Sequence, residues 1–219
     1  MPGSFMVFDA AVEQLIEWLQ PRSALDIGTG SGKYGQMLAR IVPDCRRVGI
    51  EPEASYEPRF GLDALYPELF RCSAAAWMSQ ASDSRFDLVL LGDCIEHMPK
   101  SAGLDLLNFL AYRSAYTLVI TPEFIVQGAV DGVAGEAHVS VWSERDLGWH
   151  DLHAWDNCRA VSLLLLRGYL PAPLPLVELV DRFNAAAVPI REFYEPASFV
   201  RPVRLRLVDR ARETSYRLA

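Results

Sequence analysis

The 219-residue sequence has four cysteines and no Cys-x-x-Cys pair among them. Cys45, Cys72, Cys94 and Cys158 are too scattered for a disulfide framework, so reduced, buried thiols are expected. The chain also lacks any apolar run of the eighteen or more residues that a membrane span requires. Met1-Pro2-Gly3-Ser4-Phe5 has neither the cationic start nor the apolar stretch of a secretion signal, and the expectation is a soluble, cytoplasmic protein. Positive charge is short. Against 28 Asp and Glu there are 21 Lys and Arg, a net charge of −7, which argues against a nucleic-acid partner because phosphate binding rests on a positive surface. Internal repeats and low-complexity tracts are missing too. Apolar residues are plentiful at 51%, enough for one substantial core and a small appendage.

The informative stretch is Ala24-Leu25-Asp26-Ile27-Gly28-Thr29-Gly30-Ser31-Gly32-Lys33-Tyr34-Gly35. Leu25 and Ile27 read as the end of a buried strand, and Leu38, Ile41 and Val42 recur at helical spacing behind it. Glycines at every second position let the backbone turn sharply and lie directly against a ligand. A dinucleotide fingerprint would need its third glycine at Lys33. A phosphate loop would need a glycine at Ile27 and a hydroxyl at Tyr34 of the kind that binds magnesium. What remains is D-x-G-x-G-x-G. Glu51 ends the next apolar run, Arg47-Val48-Gly49-Ile50, where a strand-end carboxylate grips both ribose hydroxyls of a nucleoside.

The rest of the chain alternates. Residues 9–20 form an amphipathic helix with Val12, Leu15, Ile16 and Leu19 on one face, stopped by Pro21. Strands are expected at 23–27, 47–51, 68–72, 86–91 and 116–120, with helices at 33–42, 53–64, 74–80 and 101–112 between them. Such alternation means a parallel sheet wound on both faces, with ligands beyond the carboxyl ends of its strands. Asp26, Glu51, Asp93 and Glu123 all fall on that rim. The pattern dissolves between Pro122 and Trp142, and a loop this long is usually functional or mobile. Ser143-Glu144-Arg145-Asp146 then reads as a capping box, and 152–157 and 161–167 as two tightly joined strands. After Gly168, Pro171, Pro173 and Pro175 make a stiff connector, followed by a helix through Phe183 and an alternating strand, Val203 to Leu207. The arginines of this tail (Arg201, Arg204, Arg206, Arg210, Arg212, Arg217) are interspersed with Asp209 and Glu213, as on a solvated face. The division expected is therefore 1–168 as the main domain with its leading helix and 169–219 as a C-terminal extension, a cover or a homodimer contact.

The glycine motif and Glu51, together with Phe86-Asp87-Leu88-Val89-Leu90-Leu91-Gly92-Asp93-Cys94-Ile95-Glu96-His97-Met98 and Thr121-Pro122-Glu123-Phe124-Ile125-Val126-Gln127-Gly128, resemble the class I S-adenosylmethionine-dependent methyltransferases. The likeness continues to Glu136-Ala137-His138-Val139-Ser140-Val141-Trp142 and points to the branch acting on small molecules, sugars and natural products. It implies a Rossmann-like, doubly wound α/β fold with a mostly parallel seven-stranded sheet and a small C-terminal α/β extension. By the same resemblance, Asp26 and the backbone of Gly28 and Gly30 hold the methionine end of S-adenosylmethionine, and Thr29, Gly32 and Tyr34 complete that loop. Glu51 and Pro52 meet the ribose, and Asp93 lies beside the sulfonium. The family's acid after the third strand is replaced by Cys72-Ser73-Ala74, which leaves Ser73 to meet the adenine.

Methyl transfer is an in-line displacement on an activated carbon, and a hydroxyl acceptor needs a base. His138, in the glycine-bearing loop, is the first candidate. His97, in a Glu-His pair that braces the loop in this family, is the second, and Glu123 is a third residue to orient the acceptor. Trp142, Phe124 and Trp149 line an acceptor pocket or pack in the core. His150, Asp151 and His153 lack a partner cluster, so no metal is expected. The function expected is methyl transfer to an oxygen or nitrogen of a small metabolite, leaving S-adenosylhomocysteine. A cofactor-binding partner subunit and an RNA methyltransferase stand as alternatives.

Overall fold

The leading helix is amphipathic because Ala11, Val12, Leu15, Ile16 and Leu19 share one buried face, and it lies on one side of a sheet. In the computed structural model, which describes residues 5–192 and 198–210, this is α1 (Asp9–Leu19). It is followed by β1 (Ser23–Ile27), α2 (Lys33–Ile41), β2 (Arg46–Ile50), α3 (Tyr56–Phe60), α4 (Leu62–Leu65), β3 (Glu68–Phe70) and α5 (Ala74–Met78). Then come β4 (Phe86–Gly92), α6 (Lys100–Ala111), β5 (Ser114–Pro122), β6 (Leu152–Cys158), β7 (Val161–Arg167), α7 (Leu176–Ala186), β8 (Pro189–Arg191), β9 (Phe199–Pro202) and β10 (Arg206–Asp209).

Eight strands form the main sheet in the order β10-β6-β7-β5-β4-β1-β2-β3. The pairings β3–β2, β2–β1, β1–β4 and β4–β5 are parallel. β7 runs antiparallel to both β5 and β6, and β10 antiparallel to β6. Seven strands were expected; the eighth is β10, contributed by the C-terminal extension. The expected strand at 203–207 begins only at Arg206, because Val203 and Leu205 are buried and Val203 N–H donates to Val188 O (2.8 Å). The helix expected over 53–64 is two pieces, broken at Gly61, where φ is +64°. β8 and β9 pair in a separate two-stranded ribbon.

β5 is buried along its whole length, as a central strand covered on both faces must be. One apolar layer packs α1, α2 and α7 against Leu88, Leu90, Leu118 and Leu165. The other packs Trp77, Phe86 and Leu107 against Val89 and Leu164. Two layers around one mostly parallel sheet leave the carboxyl ends of β1, β2 and β4 open, and ligands of such sheets bind there. No helix among the described residues is long and apolar enough to cross a membrane.

Candidate active site

Beyond the carboxyl ends of β1, β2 and β4 lies a cavity of about 690 Å³, within the range of small-molecule sites. One wall is the turn after β1. Gly28 has φ +74°, and a Cβ there would sit 2.6 Å from Cys94 Sγ; only glycine fits. Gly30, φ +50°, differs in that a Cβ would meet nothing closer than Gly28 O at 3.9 Å. Its bare backbone therefore borders open space.

Glu51 follows β2 and faces the same cavity. Its Oε2 accepts from Gly30 N–H (2.8 Å) and from the Thr29 hydroxyl (3.4 Å), and Oε1 accepts from Glu53 N–H (2.9 Å). Burial raises its carboxyl above the ordinary value, with these donors opposing the shift. An ionised carboxylate has about four acceptor positions, two on each oxygen, so with two donors on Oε2 and one on Oε1 it is Oε1 that retains capacity for a ligand's hydroxyl. Pro52, Ser73 and Ala74 continue the wall. Ser73 also caps α5, its hydroxyl accepting from Ala76 N–H at 3.2 Å. Asp93, with φ +49°, stands at the floor and accepts from Phe5 N–H (2.7 Å). Lys33 Nζ donates to Phe5 O (2.9 Å) and Asp9 (2.6 Å), tying the N-terminal segment over the mouth.

Four expected wall residues stand behind the wall instead. Asp26 is fully buried, and its Oδ2 accepts from the Tyr66 hydroxyl, which is in turn bonded by Gly35 N–H (2.9 Å). Among the described residues Oδ1 has no hydrogen-bond partner, and burial raises the carboxyl to about 7. Thr29 and Tyr34 are likewise buried, Tyr34 against Gly92, and Gly32 caps α2 against Leu65. These residues shape the turn; they do not border the cavity.

The opposite wall combines the turn after β4 with the long loop. Val139 and Ser140 donate their N–H groups to Glu96 O (2.8 and 3.1 Å), which brings His138 beside His97. Their rings meet edge to face with centroids 5.0 Å apart. His97 Nδ1 donates to Ala137 O (3.2 Å) and His138 Nδ1 to Ile125 O (2.8 Å). A carbonyl only accepts, so in the neutral rings Nε2 carries the lone pair. Burial lowers the His97 pKa. Glu96 is 1% exposed; its Oε2 accepts from Thr121 (3.1 Å), while Oε1 has no partner on another residue. Burial, then the neighbouring Asp93, push its carboxyl well up. The loop is anchored across the cavity by the Tyr56 hydroxyl, which donates to Glu136 (2.5 Å).

Glu123 is not there. Its N–H donates to Ala160 O in the β6–β7 turn, and Phe124 adopts φ +59°. The side chain thus turns into a second cleft, bonded to Asn157 (2.9 Å) and Ser162. The aromatic acceptor pocket is also absent: Trp142 is a buried core residue on Gly103, Phe124 is exposed, and Trp149 lies by His150. His150 and His153 are buried and bond the carbonyls of Arg167 (2.7 Å) and His150 (3.0 Å). Sequence reading missed Tyr56 and Glu136, whose contact across the cavity has no local signature.

No protein-family model matches the sequence, and no curated protein matches it. Solved structures do match. A SAM-dependent methyltransferase from Archaeoglobus fulgidus aligns over 75% of this chain and 95% of its own, with TM-score 0.56 and 14% identity. The fold is that of the class I methyltransferases. An O-methyltransferase family protein from Burkholderia thailandensis aligns with 72% of this chain at TM-score 0.55 and 13% identity. This chain spans about half of that protein's length, 54%. The plantazolicin methyltransferase, solved with SAH, aligns over 74% of this chain and 84% of its own, at TM-score 0.54 and 13% identity. The seven strands β3-β2-β1-β4-β5-β7-β6 run in unbroken order across the sheet, with β10 added outside them.

Proposed function

We propose that this chain is an S-adenosylmethionine-dependent methyltransferase acting on an oxygen or nitrogen of a small metabolite, a sugar or a natural product. The observation that carries the reading is the cavity between the bare Gly30 backbone with Glu51 and the Glu96–His97–His138 wall. The residues present fit the cofactor: Gly30 leaves the space a ligand needs, and Glu51 keeps acceptor capacity on Oε1 for a ribose hydroxyl. Gly28 and Gly30 would hold the cofactor's methionine end, and Ser73 and Ala74 its adenine. When bound, it supplies a methyl group on a sulfonium, already activated for displacement.

This chain's part is to bring the acceptor into line, which is worth about 7–11 kcal/mol of the barrier. Asp93, on the same rim, would lie beside the sulfonium. The acceptor oxygen or nitrogen bonds to the methyl carbon as the carbon–sulfur bond breaks, its electron pair going to sulfur. A hydroxyl or ammonium proton passes to the imidazole of His138, with His97 beside it, a contribution of about 10²–10⁴-fold. The loop joined to Tyr56 through Glu136 closes one side of the cavity around the acceptor. In this reading the enzyme works in the cytoplasm, and 169–219 covers the fold or joins two copies.

The test is calorimetry with S-adenosylhomocysteine followed by a methyl-transfer assay over sugars and phenolic and amino natural products. Binding that weakens in Glu51→Ala, with turnover of a small acceptor lost in His138→Ala, supports the reading. Binding without turnover on any small acceptor would favour a partner subunit, and salt-sensitive methylation of RNA would replace the substrate class.

A further inference from the structure

Three side chains in the acceptor-facing wall meet a requirement that proton transfer alone does not impose. Glu96, His97 and His138 each offer one ligand atom, and these atoms all lie within 4.8 Å of one another. Among the described residues none of the three hydrogen-bonds another. Both rings instead spend their Nδ1 protons on backbone carbonyls, Ala137 O and Ile125 O. That arrangement fixes the tautomer and orientation of metal-binding histidines, and it leaves a lone pair on each Nε2. Glu96 Oε1 is buried and receives no hydrogen bond from another residue. A buried carboxylate oxygen without a partner is costly unless a proton or a cation meets it. Oε2 accepts from the Thr121 hydroxyl, and carboxylates that ligate metals are held by hydrogen bonds of this kind.

We propose that Glu96, His97 and His138 bind one divalent transition-metal cation, and that the acceptor is a small molecule presenting a hydroxyl to that ion. Two imidazoles and one carboxylate suit Zn²⁺, Fe²⁺, Co²⁺ or Mn²⁺ better than Mg²⁺ or Ca²⁺, which favour all-oxygen sites. Ligands about 2.1 Å from a common ion lie at most about 4.2 Å apart, so binding draws the widest pair together by a few tenths of an ångström or more. The remaining coordination positions open on the cavity that Glu96, His97 and His138 line. There the cation polarises the acceptor hydroxyl and lowers its pKa. The hydroxyl proton leaves to solvent water, the oxygen bonds to the methyl carbon, and the carbon–sulfur electron pair goes to sulfur. With the ion bound the histidines activate the acceptor through it, and the proton-accepting role given to His138 above belongs to the ion-free site. The ion-binding part stands by itself; the role given to the hydroxyl rests on the methyl-transfer reading above.

The experiment uses the full chain, stripped with a chelator and dialysed, then titrated with Zn²⁺ by calorimetry and with Co²⁺ by visible absorption. One ion per chain is expected. Affinity should fall at least about 100-fold in Glu96→Gln and in His138→Gln, a loss at or beyond the upper end of that seen when outer-shell partners are removed. No binding of either ion, or affinity unchanged in both variants, would overturn the proposal. Because Glu96→Gln leaves a buried amide, circular dichroism of each variant accompanies the titration, and the wild-type titration decides if a variant does not fold. S-adenosylhomocysteine is titrated into the same stripped preparation. Nucleoside binding without metal binding sinks this inference alone, and metal binding without nucleoside binding sinks the methyl-transfer reading alone.

Discussion

The Gly30 N–H donates to Glu51 Oε2 at 2.8 Å, and this bond ties the turn after β1 to the end of β2. It makes one buried carboxylate both the clamp of the glycine turn and an acid lining the cavity. Glu51→Gln keeps an acceptor oxygen for Gly30 but halves the acceptor set, whereas Glu51→Ala removes it. Hydrogen bonds to charged groups are worth about 1.5–3 kcal/mol. The expected loss of S-adenosylhomocysteine affinity in Glu51→Ala is therefore about 10–100-fold, with a smaller loss in Glu51→Gln. Calorimetry on the two variants gives the order.

Gly28→Ala should destabilise the fold. Its φ of +74° costs an L-residue about 1–2 kcal/mol, and the new Cβ would meet Cys94 Sγ at 2.6 Å and Cβ at 2.9 Å. Adding Cys94→Gly removes the second conflict and leaves the first. Urea denaturation should show the single variant well below the wild type, and the double variant should lose less than the two single changes added together. Additive losses would mean that the two residues do not touch.

Asp26 sets a pH dependence whose sign follows from its burial. Its carboxyl is raised to about 7, against about 3.9 in an unfolded chain. Below pH about 4 both states hold the proton and nothing is lost. Between about 4 and 7 the unfolded chain releases it while the fold keeps it, so stability falls, by on the order of 4 kcal/mol in all. Asp26→Asn retains an oxygen for the Tyr66 hydroxyl and has no proton to release. Relative to wild type it should gain stability from pH 4.5 to pH 8, measured by urea denaturation at both. A difference that does not change with pH would contradict the assignment.

Glu123→Ala should leave transfer kinetics unchanged. The side chain bonds Asn157 and Ser162 in the second cleft, so the cost falls on stability, about 1.5–3 kcal/mol for each hydrogen bond to the carboxylate lost. A fall in kcat with stability unchanged would return Glu123 to the acceptor.

Much of the frame was legible because parallel strands write themselves as apolar runs. β1, β4 and the glycine turn fall where Leu25, Ile27 and Phe86 to Leu91 place them, and Glu51 follows from the same logic. Asp26 was misplaced for a physical reason. β1 is buried on both faces, so alternation does not say which way a side chain turns, and Tyr66, from a distant element, decides it. Glu123 was misread because the left-handed Phe124 and the β6–β7 turn redirect the chain after Pro122. His97 and His138 were each visible as candidates. Their contact was not, since it depends on the loop returning to the Glu96 carbonyl.

The central claim is that the bare turn at Gly30 is one side of a nucleoside seat. Gly30→Asn tests it most directly. Asn tolerates the left-handed conformation better than other side chains, and its atoms would enter space where the nearest neighbour of a Cβ is 3.9 Å away. S-adenosylhomocysteine titrated into the wild type should bind one equivalent, and into folded Gly30→Asn it should bind at least tenfold more weakly, a loss of about 1.4 kcal/mol. No heat of binding in the wild type, or equal affinity in the variant, would contradict the account.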